Sequence, residues 1–198
     1  MIVACQTFDD VLPNPEGLRN WALSTPLSTI KGPDGELYSN VAKFDGSTSE
    51  YFGEVLAARL GRPVRMDYCG IRFDYAGEMH DIHADSAYSE YAFVLYLNPP
   101  EQCRGGTAFW RNKKYGWCAL PTEKDVRRMG KSPQRVLKDL CDQAADELNW
   151  EKVHTADMKT NRLITYPTTQ FHSRWPLEGF GSTPDDGRLV TVGFYTVL

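Results

Sequence analysis

His83 and Asp85 stand two residues apart, and His172 follows far down the chain. Side chains of a strand alternate between faces, so residues i and i+2 share one. With the His83–Asp85 step on a strand, both side chains point the same way. Bringing His172 beside them requires a scaffold that returns the chain across its own strands. Two imidazoles and one carboxylate are the ligand set that holds a ferrous ion by one face and leaves the other octahedral positions open. A lone His-x-Asp step occurs by chance in many chains, so its weight depends on the surrounding pattern.

That pattern reads as helices first and short strands afterwards. Asn14 and Pro15 open a helical segment with Leu18, Trp21 and Ala22 at helical spacing. Residues 31–46, rich in Gly, Asp and Ser, read as a loop. Ser47 to Glu50 fits a capping box before a helix carrying Phe52, Val55, Leu56 and Leu60, which stops at Gly61 and Pro63. Ile71 to Tyr75 alternates apolar and polar residues, as a strand does. Tyr91 to Leu97 reads as a buried strand, and Thr107 to Trp110, Arg162 to Tyr166 and Arg188 to Val197 as further strands. Ser132 and Pro133 read as N-cap and first residue of a helix, whose apolar stripe runs from Val136 through Leu140 to Leu148. The expected fold is α+β: a double-stranded β-helix (jelly-roll) core with N-terminal helices and a helical insertion. One domain spans 1–198, with 111–158 as an insertion and candidate lid.

Composition excludes several classes. No apolar run approaches the ~20 residues of a membrane span. The N-terminus lacks the charged and apolar regions of a signal peptide, so the expected location is cytoplasmic. Five scattered cysteines form no C-x-x-C pair, which argues against a zinc ribbon or a disulfide framework. A net charge of −4 argues against general nucleic-acid binding. Yet residues 104–138 hold ten of the 22 lysines and arginines against only Glu123 and Asp125, a candidate surface for an anionic partner.

Four stretches together resemble the Fe(II)/2-oxoglutarate-dependent dioxygenases, in particular their prolyl-4-hydroxylase-like branch. They are Tyr75 followed by His83-Ala84-Asp85, the strand Phe93 to Asn98, Gly105-Gly106-Thr107-Ala108-Phe109, and Asn161 to His172 followed by Gly187-Arg188-Leu189-Val190. The resemblance implies Fe(II) on His83, Asp85 and His172. It implies 2-oxoglutarate as co-substrate, its distal carboxylate on the fork-shaped guanidinium of Arg188, with Tyr75 and Thr107 hydrogen-bonded nearby. Prolyl hydroxylases often carry Lys where this chain has Arg188; Arg is the commoner choice in the wider superfamily. The implied reaction consumes O2, yields succinate and CO2, and hydroxylates an unactivated C–H of a small molecule or amino-acid residue, free or on a carrier or peptide. The retained carboxylate ligand, Asp85, points away from the family's halogenases.

Other readings stand beside these. His80 offers a His-x-x-His alternative and His154 reads as structural or exposed. Arg174 is the nearest rival to Arg188. Phe73, Trp110, Tyr115 and Trp117 read first as core. A 2-oxoglutarate-independent iron oxidase and a cupin-like metal sensor without turnover are the alternative functions.

Overall fold

The structure, a computed structural model, describes residues 3–31, 37–78, 80–85 and 89–198. Among the described residues, ten strands and four α-helices make four layers. The strands are β1 (Gln6–Phe8), β2 (Ser28–Lys31), β3 (Leu37–Lys43), β4 (Val64–Asp74), β5 (Tyr91–Tyr96), β6 (Gly106–Asn112), β7 (Trp150–Asp157), β8 (Leu163–Pro167), β9 (His172–Trp175) and β10 (Arg188–Val197). The helices are α1 (Pro15–Ser24), α2 (Gly46–Leu60), α3 (Glu123–Arg128) and α4 (Pro133–Asp142). A seven-stranded sheet runs β1-β8-β5-β10-β4-β3-β2, and a three-stranded sheet runs β7-β6-β9. All these pairings are antiparallel. This is the expected α+β jelly roll, with the inner faces of two sheets packed on each other.

Strand parity sorts the apolar residues into three cores. Val94, Tyr96, Phe109, Ile164, Tyr166 and Val190 fill the space between the sheets. Residues of opposite parity on the large sheet, among them Ile71, Phe73, Phe93, Leu95 and Leu163, pack under Ala22 of α1 and Phe52 and Leu56 of α2. A run of stacked rings, Trp21–Phe44–Phe52–Phe93, ties both helices to β5. On the outer face of the small sheet, Ala108, Trp110, Trp150 and Phe171 are covered by Val126 of α3 and by Val136 and Leu140 of α4.

Several boundaries differ from the sequence expectation for local reasons. Within 31–46, Leu37–Lys43 is strand β3, and residues 32–36 lie outside the described residues. Three residues of β2, from Ser28 to Ile30, oppose four of β3, from Val41 to Tyr38. Asn40 absorbs the extra residue at φ 58°, a left-handed value that Asn tolerates. The bulge lets Tyr38 and Val41 face the same side, and it hides the alternation that would mark a strand. Helix α2 is capped by Asp45, whose carboxylate accepts the Thr48 N–H at 2.8 Å, two residues earlier than the expected box. A reciprocal capping box occurs instead on α3, between Thr122 and Asp125. Helix α4 ends at Asp142, leaving Leu148 80% exposed rather than in the expected stripe. Residues 150–157 of the insertion are β7, paired along β6.

Gly105 precedes the point where β6 enters between β7 and β9. It has φ 59°, and a Cβ there would lie 2.0 Å from the Trp175 carbonyl oxygen. Gly61, at the end of α2, has φ 67° with nothing within 4 Å of an added Cβ. Gly61→Ala is therefore expected to cost only left-handed strain, about 1–2 kcal/mol. Gly105→Ala adds a backbone clash, typically a further 1–3 kcal/mol. Denaturant midpoints at constant m-value check this, and equal losses would remove the steric argument.

Candidate metal centre

The segment around His83 lies against β9. His83 N–H donates to the His172 carbonyl at 3.0 Å and His172 N–H to the His83 carbonyl at 2.9 Å. Asp85 N–H reaches the Thr168 carbonyl at 2.8 Å. These bonds clamp the His-x-Asp step beside the strand that bears the distant histidine. Asp85 turns one oxygen toward His83 Nε2 at 3.4 Å and the other toward His172 Nε2 at 3.0 Å. The three ligand atoms lie within 4.8 Å of one another.

Hydrogen bonds select the tautomers. Nδ1 of His83 is 2.9 Å from the Asp81 carbonyl, and Nδ1 of His172 is 2.9 Å from the Gln170 carbonyl. A carbonyl only accepts, so each Nδ1 carries the proton and each neutral ring presents its Nε2 lone pair inward. Two lone pairs and a carboxylate then converge and need a cation between them. Cis ligands about 2.1 Å from an octahedral metal stand about 3 Å apart, close to the observed separations, so the residues fit a metal. Burial alone would raise the Asp85 pKa, but His172 and His83 outweigh it and hold the carboxyl well below its ordinary range. Burial disfavours a charged His83, yet the Asp85 carboxylate overcomes this and lifts its pKa.

These residues line a cavity of about 760 Å³ between the sheets. Its walls include Ala92, Val94, Tyr166, Val192 and Phe194. The Tyr166 ring lies 4.7 Å from that of His172, and burial drives its hydroxyl well above the ordinary tyrosine pKa. The same cavity reaches Arg72, Arg174 and Arg188, which share one carboxylate. Arg188 and Asp74 are directly paired across β10 and β4, and Arg188 Nη1 donates to Asp74 Oδ2 at 2.8 Å. Arg72 Nε and Arg174 Nη1 approach Asp74 Oδ1 at 2.9 and 3.1 Å without hydrogen-bond alignment. Among the described residues, Arg174 Nη1 and Nη2, Arg188 Nε and Arg72 Nε are buried with no hydrogen-bond partner. Such donors call for an anion.

The remaining expectations separate. Arg188 shares its face with Val190, Val192 and Phe194 and is 5% exposed; its guanidinium lies 5.6 Å from the Tyr96 ring. Thr107 lines the cavity and bonds the Tyr96 hydroxyl at 2.8 Å. Burial pushes that hydroxyl up to about 12. Tyr75 is a correction: it shares the parity of Phe73, stacks on its ring and packs in the helix-covered core, not among the described lining residues. Its neighbour Asp74 has the cavity-facing parity instead. Arg174 joins Arg188 on the same carboxylate rather than replacing it. His80 lines the cavity with a buried, unbonded Nδ1, 4.9 Å ring to ring from His83. His154 is exposed and stacks on Phe109. No described residue of 111–158 lines the cavity, because α3 and α4 pack behind the small sheet. The sequence reading missed Arg72, Asp74 and Tyr166; the polar alternation of β4 was the available signal for the first two.

Burial raises the Asp74 pKa, but Arg72, Arg188 and Arg174 outweigh it and hold the carboxyl below its ordinary range. A depressed folded value stabilises the fold above the unfolded pKa near ~4 and loses that stabilisation as the pH falls through the folded value. Asp74→Asn is expected to cost about 3–5 kcal/mol at neutral pH, as breaking a buried pair does. The difference from the parent should shrink as the pH drops below ~4. Urea denaturation across that range measures it; a pH-independent loss would mean the carboxylate charge is not what matters.

No curated protein matches the chain in sequence. Solved structures match it in fold. The non-heme alpha ketoglutarate dependent carbocyclase SnoK from nogalamycin biosynthesis aligns with TM-score 0.60 at 13% identity, over 98% of this chain and 79% of that one. HygX from Streptomyces hygroscopicus, solved with iron bound, aligns with TM-score 0.57 at 10% identity, over 98% and 82%. The viral collagen prolyl hydroxylase vCPH from Paramecium Bursaria Chlorella virus-1 aligns with TM-score 0.53 at 11% identity, over 98% and 90%. The fold is thus the jelly roll of the 2-oxoglutarate-dependent oxygenases. Residues 80–195, which contain His83, Asp85, His172 and Arg188, match DUF6445, a family of unknown function, and the chain belongs to that family.

Proposed function

We propose that the protein is an Fe(II)- and 2-oxoglutarate-dependent oxygenase that hydroxylates an unactivated C–H of a small molecule or an amino-acid residue. The observation that carries this reading is the pairing of sites in one cavity: a convergent His83–Asp85–His172 set and an arginine cluster with unpartnered buried donors. A keto dicarboxylate suits both, because one end chelates a metal and the other is an anion for a guanidinium fork. The iron, with 2-oxoglutarate as reductant, supplies O2 activation, and succinate and CO2 are the by-products.

The chain's own groups do the positioning. The Asp81 and Gln170 carbonyls hold both imidazoles with Nε2 inward. Asp85 occupies the third ligand position, which leaves no room there for a halide. Arg188, backed by the Tyr96 ring and joined to Arg174 through Asp74, fixes the distal carboxylate. Ala92, Val94 and Val192 make an apolar wall that excludes water from the reacting region. The substrate would enter the same cavity; a carrier-bound or peptide substrate would present its side chain there.

Anaerobic addition of Fe(II) and 2-oxoglutarate is expected to produce the weak visible charge-transfer band of the keto-acid chelate. His83→Ala, Asp85→Ala and His172→Ala are each expected to abolish it while circular dichroism shows the fold retained. Under O2, the parent should form succinate. Iron binding without succinate formation would favour a 2-oxoglutarate-independent oxidase or a non-catalytic sensor.

Arg188→Ala is expected to spare metal binding and weaken 2-oxoglutarate by at least ~30-fold, the equivalent of about 2 kcal/mol for a lost charge-assisted pair. Arg188→Lys should fall between, since it keeps the charge and loses the fork. A Kd for Arg188→Ala within about threefold of the parent, or ~0.7 kcal/mol, would move the anchor to Arg174.

A further inference from the structure

The cations around the cavity outnumber its acids. Lys31, Lys43, Arg72, Arg174 and Arg188 line it, against Asp74, Asp81 and Asp85 in the lining and Glu78, 3.7 Å from Arg174. A ferrous ion and a 2-oxoglutarate dianion cancel in formal charge, so loading the metal site leaves this positive excess in place. The excess is not spread evenly. Arg174 and Arg188 are deep, with side chains 2% and 6% exposed, whereas Arg72 is 23% exposed and faces the outer wall.

That outer wall is made by β2, β3 and β4. Val41 pairs directly with Arg72, and Lys43 with Gly70, on the face that looks into the cavity. The bulge at Asn40 brings Tyr38 to the same side, where its ring lies 5.4 Å from the Arg72 guanidinium. Arg72 Nε lies 2.9 Å from Asp74 Oδ1 without hydrogen-bond alignment, and the side chain keeps part of its surface exposed at the cavity wall. Ile30, Tyr38, Val41 and Phe194 supply apolar surface beside it. None of the described lining residues on β2 and β3 is acidic. A volume of about 760 Å³ holds a second small molecule beside 2-oxoglutarate.

We propose that the substrate is a small organic carboxylate with an apolar or aromatic body, its anionic end held by Arg72 near Lys43 and its body laid on Tyr38 and Val41. This rests on the reading of the deep site as the 2-oxoglutarate site, because Arg72 is then the cation left for the substrate. The guanidinium over Tyr38 provides both a fork for the carboxylate and a flat edge for the body. Oxidation would fall on a carbon of the body, since the anionic end is held at Arg72 rather than at the metal ligands.

The test uses the full chain loaded with Zn(II), which is diamagnetic and inert to O2, and 2-oxoglutarate. The 2-oxoglutarate Kd is measured first by calorimetry; if metal does not tighten it, the underlying reading fails and this inference falls with it. Ligand-observed NMR then follows matched acids and amides: hexanoate and hexanamide, phenylpropanoate and phenylpropanamide, indoleacetate and indoleacetamide. The acids are expected to bind at least about tenfold more tightly than their amides. Arg72→Gln should abolish that preference, and Arg72→Lys, which keeps the charge, should retain part of it. Lys43→Gln provides a second variant outside the Asp74 cluster and should weaken the acids only, by about two- to fivefold. With 2-oxoglutarate bound normally, amides binding as well as acids, no binding of either, or an Arg72→Gln effect confined to 2-oxoglutarate would each overturn the proposal.

Discussion

One buried carboxylate, Asp74, organises the charged end of the cavity. It takes Arg72 from its own strand, Arg188 from the neighbouring strand β10 and Arg174 from β9 in the opposite sheet. Removing a charge from water costs several kcal/mol even after relaxation, and Asp74, with Glu78 3.7 Å from Arg174, leaves donors of all three guanidiniums without a hydrogen bond. The other end has the converse shortage. There Asp85 and two inward Nε2 lone pairs converge, a donor set that takes a cation. A molecule that is anionic at one end and binds a metal at the other relieves both shortages at once. Neither a simple anion nor a metal ion alone does so, which is why the paired sites say more about function than either does separately.

Strand periodicity made part of this legible and left part hidden. Arg188 could be placed inside the barrel because Val190, Val192 and Phe194 follow it at alternate positions, a local pattern. The same rule applied to Ile71 through Tyr75 marks Ile71, Phe73 and Tyr75 as one face and Arg72 and Asp74 as the other. An apolar face is ordinarily taken as the inward one, yet this sheet is covered on both sides. Helices α1 and α2 bury the apolar face, and the cavity occupies the polar one. Which face meets a ligand depends on elements far away in the chain, and no alternation within β4 reports it. Tyr75, placed beside the co-substrate by the family resemblance alone, follows the parity of Phe73 and stacks on its ring instead.

The outer wall was hidden for a different reason. Strand β3 carries Ser39 and Asn40 after a Gly- and Asp-rich stretch, a composition that reads as loop. Asn40 spends its left-handed φ on a bulge, so the strand breaks its own alternation. Its side-chain amide donates to Glu78 at 3.0 Å, and Glu78 lies 3.7 Å from Arg174. The irregularity that erased the strand signal thus connects the added wall to the arginine cluster. By contrast, the helix ends were readable where the capping chemistry is local: Asn14, Ser132 and Gly61 all occupy the terminal positions that their side chains or backbone favour.

Counting charge along the chain pointed to residues 104–138, and the folded arrangement gives several of those cations partners. Arg111 meets Glu151, Lys114 meets Asp139, and Lys138 meets Asp142, three acids that lie outside that window. Arg127 pairs with Glu123 within it, and Lys131 rests 5.0 Å from the Tyr115 ring. These groups sit at the surface, where water and salt already screen them and each pair contributes ~1 kcal/mol or less. The arginines between the two sheets are screened far less, and among the described residues Arg72 Nε, Arg174 Nη1 and Nη2 and Arg188 Nε are buried without a hydrogen-bond partner. The informative charge in this chain is therefore the smaller one, because burial rather than number determines how strongly a site requires a partner.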